Sequence, residues 1–396
     1  MTATARIAAA AADSTPERTD AVRHVHLSGP LPLHHGGELR RASIAYETWG
    51  RLNRRRNNAI LLFTGLSPSA HAASSPKDPS PGWWEAMIGP GHALDTDKWF
   101  VICVNSLGSC FGSTGPASIN PASGQPYGLD FPELAIEDIA AAGHAVVQAL
   151  GIDQLDTAIG ASLGGMTVLA YAALFPGAAR RVISISGSGA ARPFAIAMRS
   201  LQREAITADP DWQRGRYDQQ RRPVAGMRIA RKLGTITYRS AEEWQQRFAR
   251  TPRLTVKPGG GANNLPRAPF GAGFAVEDYL EAQAQKFSAV FDPNCYLYLS
   301  RAMDRFDLAS HHGSFAAALS PAQVSDALVI GVTSDILFTP AEQHAVAQAF
   351  EQAGAVTRLL ILDSLEGHDA FLVDTAQFGL AVGDFLADDR RTAAIG

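Results

Sequence analysis

Residues 160–165 read Gly160-Ala161-Ser162-Leu163-Gly164-Gly165. A short, mostly apolar run, 155–159, precedes them, and a helix-like run, 166–174, follows. Together they read as a strand, a sharp turn and a helix, with Ser162 at the apex. A turn of this kind strains its central residue. The positions two before and two after must therefore lack bulk, and Gly160 and Gly164 do. The apex hydroxyl is then open to a histidine on one side and a substrate carbonyl on the other. The helix behind it offers backbone N–H groups and a positive dipole end to a developing oxyanion. Over these few residues a glycine-rich turn of some other doubly wound fold would look the same. The distinction rests on whether an acid and then a histidine follow downstream.

Both follow. Residues 327–334 read as a buried strand with Asp335 at its end. A helical stretch, 340–353, leads to a second strand, 357–362, and then to a loop that carries His368. Each residue falls just past the C-terminal end of a parallel strand, where open α/β sheets place their chemistry. Asp335 would fix the imidazole tautomer, and His368 would take the proton of Ser162 and return it. A histidine near its usual value of about 6.5 suits that work at neutral pH. Serine, then acid, then histidine is the chain order of the α/β-hydrolase fold. The expected architecture is a mostly parallel central sheet with an inserted helical lid.

Further strands are read at 43–49, 58–64, 99–105 and 181–186, with helical spacing at 134–150. After Gly187 the strand rhythm stops. Helical patterns then run at 194–206, 225–233, 241–249, 276–287 and 294–305, with a Gly/Pro/Asn-rich loop at 257–270. A helical insertion between core strands of this fold is a lid over the site. The expected organisation is a flexible tail at 1–24, a core at 25–190 and 313–396, and a lid at 191–312.

The chain has 396 residues, 46% hydrophobic and 18% charged, with a formal net charge of −3, enough for a large core. That balance argues against nucleic acid or a membrane surface as partner. The three cysteines, Cys103, Cys110 and Cys295, suggest neither a disulfide framework nor a zinc site, so a reducing cytoplasm is expected. Cys110 has no elbow around it and reads as a packed residue. No metal site is read. No apolar stretch approaches the roughly 20 residues of a membrane span. The N-terminus, rich in Ala and Thr, lacks the charged start and apolar centre of a secretory signal.

Several motifs carry a resemblance over most of 25–388. They are Tyr46-Glu47-Thr48-Trp49-Gly50, Gly82-Trp83-Trp84 followed by Ile88-Gly89-Pro90-Gly91, and Gly115-Pro116-Ala117-Ser118-Ile119-Asn120-Pro121. Asp130-Phe131-Pro132, the elbow extended to Met166, Ala230-Arg231 with Thr237-Tyr238, and Gly367-His368-Asp369 complete the set. The chain resembles the homoserine O-acyltransferase family. The resemblance implies acylation of an amino acid's side-chain hydroxyl from acetyl-CoA or succinyl-CoA, by a ping-pong route through acyl-Ser162. It implies no cofactor beyond the acyl-CoA co-substrate, and a homodimer.

It also implies that Arg231 and Asp369 bind the acceptor. The chemistry is consistent: an arginine fork suits the acceptor's carboxylate, and a carboxylate suits its ammonium. The plainer alternatives are a lid-surface salt bridge for Arg231 and a loop-holding carboxylate for Asp369. The oxyanion donors are expected to be the N–H groups of Leu163 and Leu66. Two departures from the family pattern bear on specificity. The loop Gly65-Leu66-Ser67-Pro68-Ser69 replaces the usual Gly-His or Gly-Asp pair, so a changed acceptor is expected. Arg199, in Met198-Arg199-Ser200, adds a positive charge to a lid helix. Acetyl gives an arginine nothing to bind, whereas succinyl ends in a carboxylate. The arginine that succinylating homoserine members carry two residues after the acid is here Leu337. The expected reaction is succinyl transfer from succinyl-CoA to L-serine, on a route to cysteine. The alternatives are transfer of succinyl or acetyl to homoserine, simple ester hydrolysis, and a non-catalytic binding protein.

Overall fold

The computed structural model describes residues 21–218, 220–253 and 270–388. Among these residues eight strands form one sheet: β1 (Arg23–His26), β2 (Ser43–Trp49), β3 (Ala59–Phe63), β4 (Phe100–Val104), β5 (Leu155–Ala161), β6 (Ala179–Ile185), β7 (Asp326–Val332) and β8 (Val356–Leu362). Their order across the sheet is β1-β2-β4-β3-β5-β6-β7-β8. The pairs from β4 through β8 are parallel, and β1–β2 and β2–β4 are antiparallel. Central parallel strands are covered on both faces, which is why Ala59–Phe63 and Phe100–Val104 are apolar without alternation and buried throughout. The sheet divides the core into two apolar layers. Leu61, Phe63, Ile102 and Tyr171 lie in one; Leu62, Cys103, Trp84 and Phe378 lie in the other.

The expected elements are present, most within a few residues. The helix after the elbow, α2 (Leu163–Leu174), starts immediately after the serine. It follows α1 (Ile136–Ala149). Between β6 and β7 lie α3 (Pro193–Thr207), α4 (Val224–Thr237), α5 (Ala241–Phe248), α6 (Ala275–Val290) and α7 (Pro293–Arg305). This is the helical excursion read from the sequence. It leaves and rejoins the core through a bridge between Ala190 and Asp307. Residues just beyond the neck pack on the core: His311 Nε2 lies 3.0 Å from Glu137 Oε1 on α1. The neck therefore lies near the boundary read at 191 and inside the one read at 312. At the other end of the chain, Arg23 and His24 pair with Tyr46 and Ala45 in the sheet, inside the segment read as tail. Residues 1–20 and 257–269 of the tail and the glycine-rich loop lie outside the described residues. Among the described residues no single helix is long and apolar enough to cross a membrane.

Candidate active site

The elbow shows why its glycines are needed. Ser162 has φ 58° and ψ −120°, a conformation L-residues rarely adopt. A Cβ on Gly160 would lie 2.2 Å from the Gly164 carbonyl oxygen, and one on Gly164 would lie 2.3 Å from the Phe63 carbonyl oxygen. Only hydrogen at both positions lets the strand fold back on its helix. The Ser162 N–H donates to the Ile185 carbonyl at 2.9 Å, which ties the elbow to β6.

Three chain segments converge on that serine. His368 Nε2 lies 2.8 Å from Ser162 Oγ, and His368 Nδ1 lies 2.7 Å from Asp335 Oδ2. The other carboxylate oxygen, Oδ1, accepts the backbone N–H groups of Leu337 at 2.8 Å and Phe338 at 3.0 Å. These bonds fix the acid and hence the ring. The Phe338 ring stacks on the imidazole at 5.0 Å. Burial alone would push His368 below its ordinary 6.5; the charge of Asp335 and their hydrogen bond outweigh it, and the net shift is upward. Serine, base and orienting acid thus stand in working order.

The cavity at the serine is small, about 70 Å³. Gly65, Leu66, Ser67 and Pro68 line it from the core side, and Met198, Arg199 and Gln202 from the lid, with Asp369 beside His368. Leu337 is also in its wall. Of the two expected oxyanion donors, Leu66 lines the cavity, and Leu163 opens α2 immediately after the serine. A first-turn N–H such as that of Leu163 has no acceptor within its own helix.

The two expected acceptor ligands differ in placement. Asp369 lies in the wall, and burial lifts its carboxyl above the ordinary value, opposed by the charges of Arg239, His368 and Arg231. Its ion-pair partner is Arg239, whose Nε lies 3.4 Å from Asp369 Oδ2. Arg239 also pairs with Glu366. Arg231 is not among the lining residues. Its guanidinium sits 4.6 Å from the Phe287 ring centroid and 5.7 Å from that of Tyr238, which does line the cavity. Its Nε is buried with no hydrogen-bond partner among the described residues. Arg231 is thus no lid-surface salt bridge.

Arg199 is buried rather than solvated, with its side chain 9% exposed. Its Nε lies 2.5 Å from Asp304 Oδ1, a partner the sequence did not suggest. Cys110 is not in the wall of this cavity; its sulfur accepts the Asp292 N–H at 3.4 Å. Among the described residues no group of three or more His, Cys, Asp or Glu is placed to hold a metal ion.

One anchor of the cavity loop was legible and was missed. Glu47 is a buried carboxylate inside β2, and a buried charge demands a partner. That partner is His71, a few residues beyond Pro68: its Nδ1 lies 3.0 Å from Glu47 Oε2, and its Nε2 lies 2.9 Å from the Ser80 carbonyl. The Glu47 hydrogen bond, with help from Ser80 and Asp78 and against burial, raises the His71 pKa from 6.5 to about 9. A raised histidine contributes stability that is complete below about 6.5 and is lost as pH rises through about 9. The melting-temperature gap between wild type and His71→Gln should therefore be widest at pH 6 and shrink toward pH 10. A gap that stays constant with pH would show the ring acting only by packing.

The α/β-hydrolase fold model matches residues 58–375. A protein of Litchfieldella anticariensis named serine O-succinyltransferase is 57% identical over 93% of this chain and 99% of its own. The chain belongs to the homoserine/serine O-acyltransferase family of the α/β-hydrolase fold. Among solved structures similar to this family member is the homoserine O-acetyltransferase from Bacillus anthracis. It shows a TM-score of 0.84 at 26% identity, over 93% of this chain and 98% of that one. Esterase E22 is also similar, with a TM-score of 0.81 at 28% identity, over 92% of this chain and 99% of that one.

Proposed function

We propose that this enzyme transfers a succinyl group from succinyl-CoA to the hydroxyl of L-serine, in two half-reactions through a succinyl ester of Ser162. The name of the 57%-identical relative supports this reading. The observation that carries it for this chain is Arg199, a buried guanidinium in the wall of the serine's cavity.

In the first half-reaction Ser162 Oγ attacks the thioester carbonyl and His368 takes its proton. The N–H groups of Leu163 and Leu66 receive the oxyanion. The C–S bond breaks, and His368 protonates the departing CoA thiolate. In the second half-reaction the acceptor hydroxyl gives its proton to His368 and attacks the ester. Ser162 leaves, recovers the proton, and O-succinylserine is released. Asp369 would hold the acceptor's ammonium and Arg231 its carboxylate, with Gly65, Leu66, Ser67 and Pro68 limiting its length. Arg231 itself is outside the cavity lining, with its guanidinium 5.7 Å from the ring centroid of Tyr238, which lines it. The product belongs on a route to cysteine.

The test is mass spectrometry of products from a mixture of serine, homoserine, succinyl-CoA and acetyl-CoA. O-succinylserine should dominate; an acetylated or homoserine product overturns the reading. Likeness to esterase E22 favours one second reading, hydrolysis, which would release free succinate instead. A variant locates the donor selectivity. Arg199→Ala should lower kcat/KM for succinyl-CoA about 10-fold or more, about 1.4 kcal/mol, and leave acetyl-CoA turnover unchanged or higher. Equal loss with both donors would assign Arg199 to structure or to the CoA moiety.

A further inference from the structure

Behind Arg199 the lid carries a charge arrangement with an unusual balance. Asp304, near the C-terminal end of α7, faces two arginines on α3. Its Oδ1 accepts from Arg199 Nε at 2.5 Å, and its Oδ2 lies at ion-pair distance, 2.6 Å, from Arg203 Nη2 without accepting a hydrogen bond among the described residues. Arg203 Nη1 also donates to Ser300 Oγ at 2.9 Å. Arg199 and Asp304 side chains are each 9% exposed, and Arg203 is 16% exposed. Two guanidinium groups thus share one carboxylate in a place with little water. Asp369, across the cavity, is engaged by Arg239. Gln202, the lining residue between the two arginines in sequence, is already taken by the Tyr296 hydroxyl at 2.8 Å. Arg199 Nη2, like Asp304 Oδ2, is buried and has no hydrogen-bond partner among the described residues. A buried guanidinium N–H without an acceptor is costly, and a second carboxylate is the partner its geometry matches.

We infer that Asp304 is the positioning residue for donor selection. It holds Arg199 by the Nε edge and leaves the outer edge of the fork for the free carboxylate of the succinyl group. Because Arg203 claims half of its charge, Asp304 orients Arg199 without neutralising it. One positive charge is left in the lid wall, which a dicarboxylic acyl group balances and an acetyl group does not. This inference rests on the proposed role of Arg199. It adds that the selectivity resides in a three-residue unit of which only one member lines the cavity.

The experiment compares Asp304→Ala, Asp304→Asn and Arg199→Ala with wild type. Each is assayed for kcat/KM with succinyl-CoA and with acetyl-CoA, after circular dichroism and thermal melting. Asp304→Ala should lower succinyl-CoA efficiency about 10-fold, with acetyl-CoA efficiency held within about 3-fold. Asp304→Asn keeps the shape but turns an amide N–H₂ toward one arginine, so it should shift the donor ratio the same way by about 3-fold. It also keeps the test open if the alanine variant does not fold. Parallel loss with both donors, or an unchanged donor ratio, overturns the inference. If Arg199→Ala changes the donor ratio and the Asp304 variants do not, the inference fails alone. If Arg199→Ala does not change it either, the reading beneath it fails as well.

Discussion

Ser162→Ala should abolish acyl transfer, lowering kcat by about 10⁴-fold or more, roughly 5 kcal/mol of transition-state stabilisation. The reason lies in the geometry: among the described residues the hydroxyl placed on His368 Nε2 is Ser162 Oγ, at 2.8 Å. Alanine removes the nucleophile and leaves the oxyanion donors, so the residual rate measures what binding and electrostatics achieve without covalent chemistry. Wild-type enzyme given succinyl-CoA without acceptor should show a 100-Da adduct (about, for one succinyl group replacing one hydrogen) on the peptide that carries Ser162. The alanine variant should show none. Its melting temperature should stay close to wild type, because the β-carbon, and the strain it meets at φ 58°, are the same. Ser162→Gly should be equally inactive yet more stable, since glycine adopts that conformation freely. Near-normal activity in the alanine variant, or an adduct on Cys110, would sink the assignment.

Asp335→Asn should cost about 10⁴-fold in kcat while leaving the fold intact. Here the hydrogen bonds dictate the outcome. Oδ1 of Asp335 accepts two backbone N–H groups, from Leu337 and Phe338. An asparagine must keep its oxygen there, so its N–H₂ faces His368 Nδ1. That nitrogen must then accept, which puts the ring proton on Nε2, pointing at the serine it should deprotonate. The pH profile should move as well. In wild type, kcat/KM should rise with pH through a value above 6.5, because the charge of Asp335 lifts His368. Without that charge burial dominates, and the limb should shift to lower pH. An asparagine variant with an unmoved profile and modest loss would mean that the carboxylate does not set the state of the ring.

The triad was readable because its information is local. Each member stands just past a strand of near-continuous apolar residues, and a parallel sheet brings such strand ends to one edge whatever the intervening chain does. The elbow carried its own proof in Gly160 and Gly164. The lid was readable for a similar reason, as a change from strand to helical periodicity after Gly187. The partners of the charged residues were not readable. Arg199 and Asp304 are 105 residues apart and meet only because α3 and α7 pack together. Asp369 was read as an acceptor ligand, but which arginine it pairs with depends on how the end of α4 meets the histidine loop. There the Asp369 N–H donates to the Tyr238 carbonyl at 3.1 Å.

By itself, then, the sequence determined seven of the eight strands of the sheet, the elbow, the order of serine, acid and histidine, and the residue types around them. These follow from periodicity and steric limits that act over a few residues. Only the tertiary structure decided which charges pair: Arg239 with Asp369, Asp304 with both Arg199 and Arg203, Glu47 with His71. A buried charge must find an opposite one, but the chain carries many candidates of each sign, and close packing chooses among them.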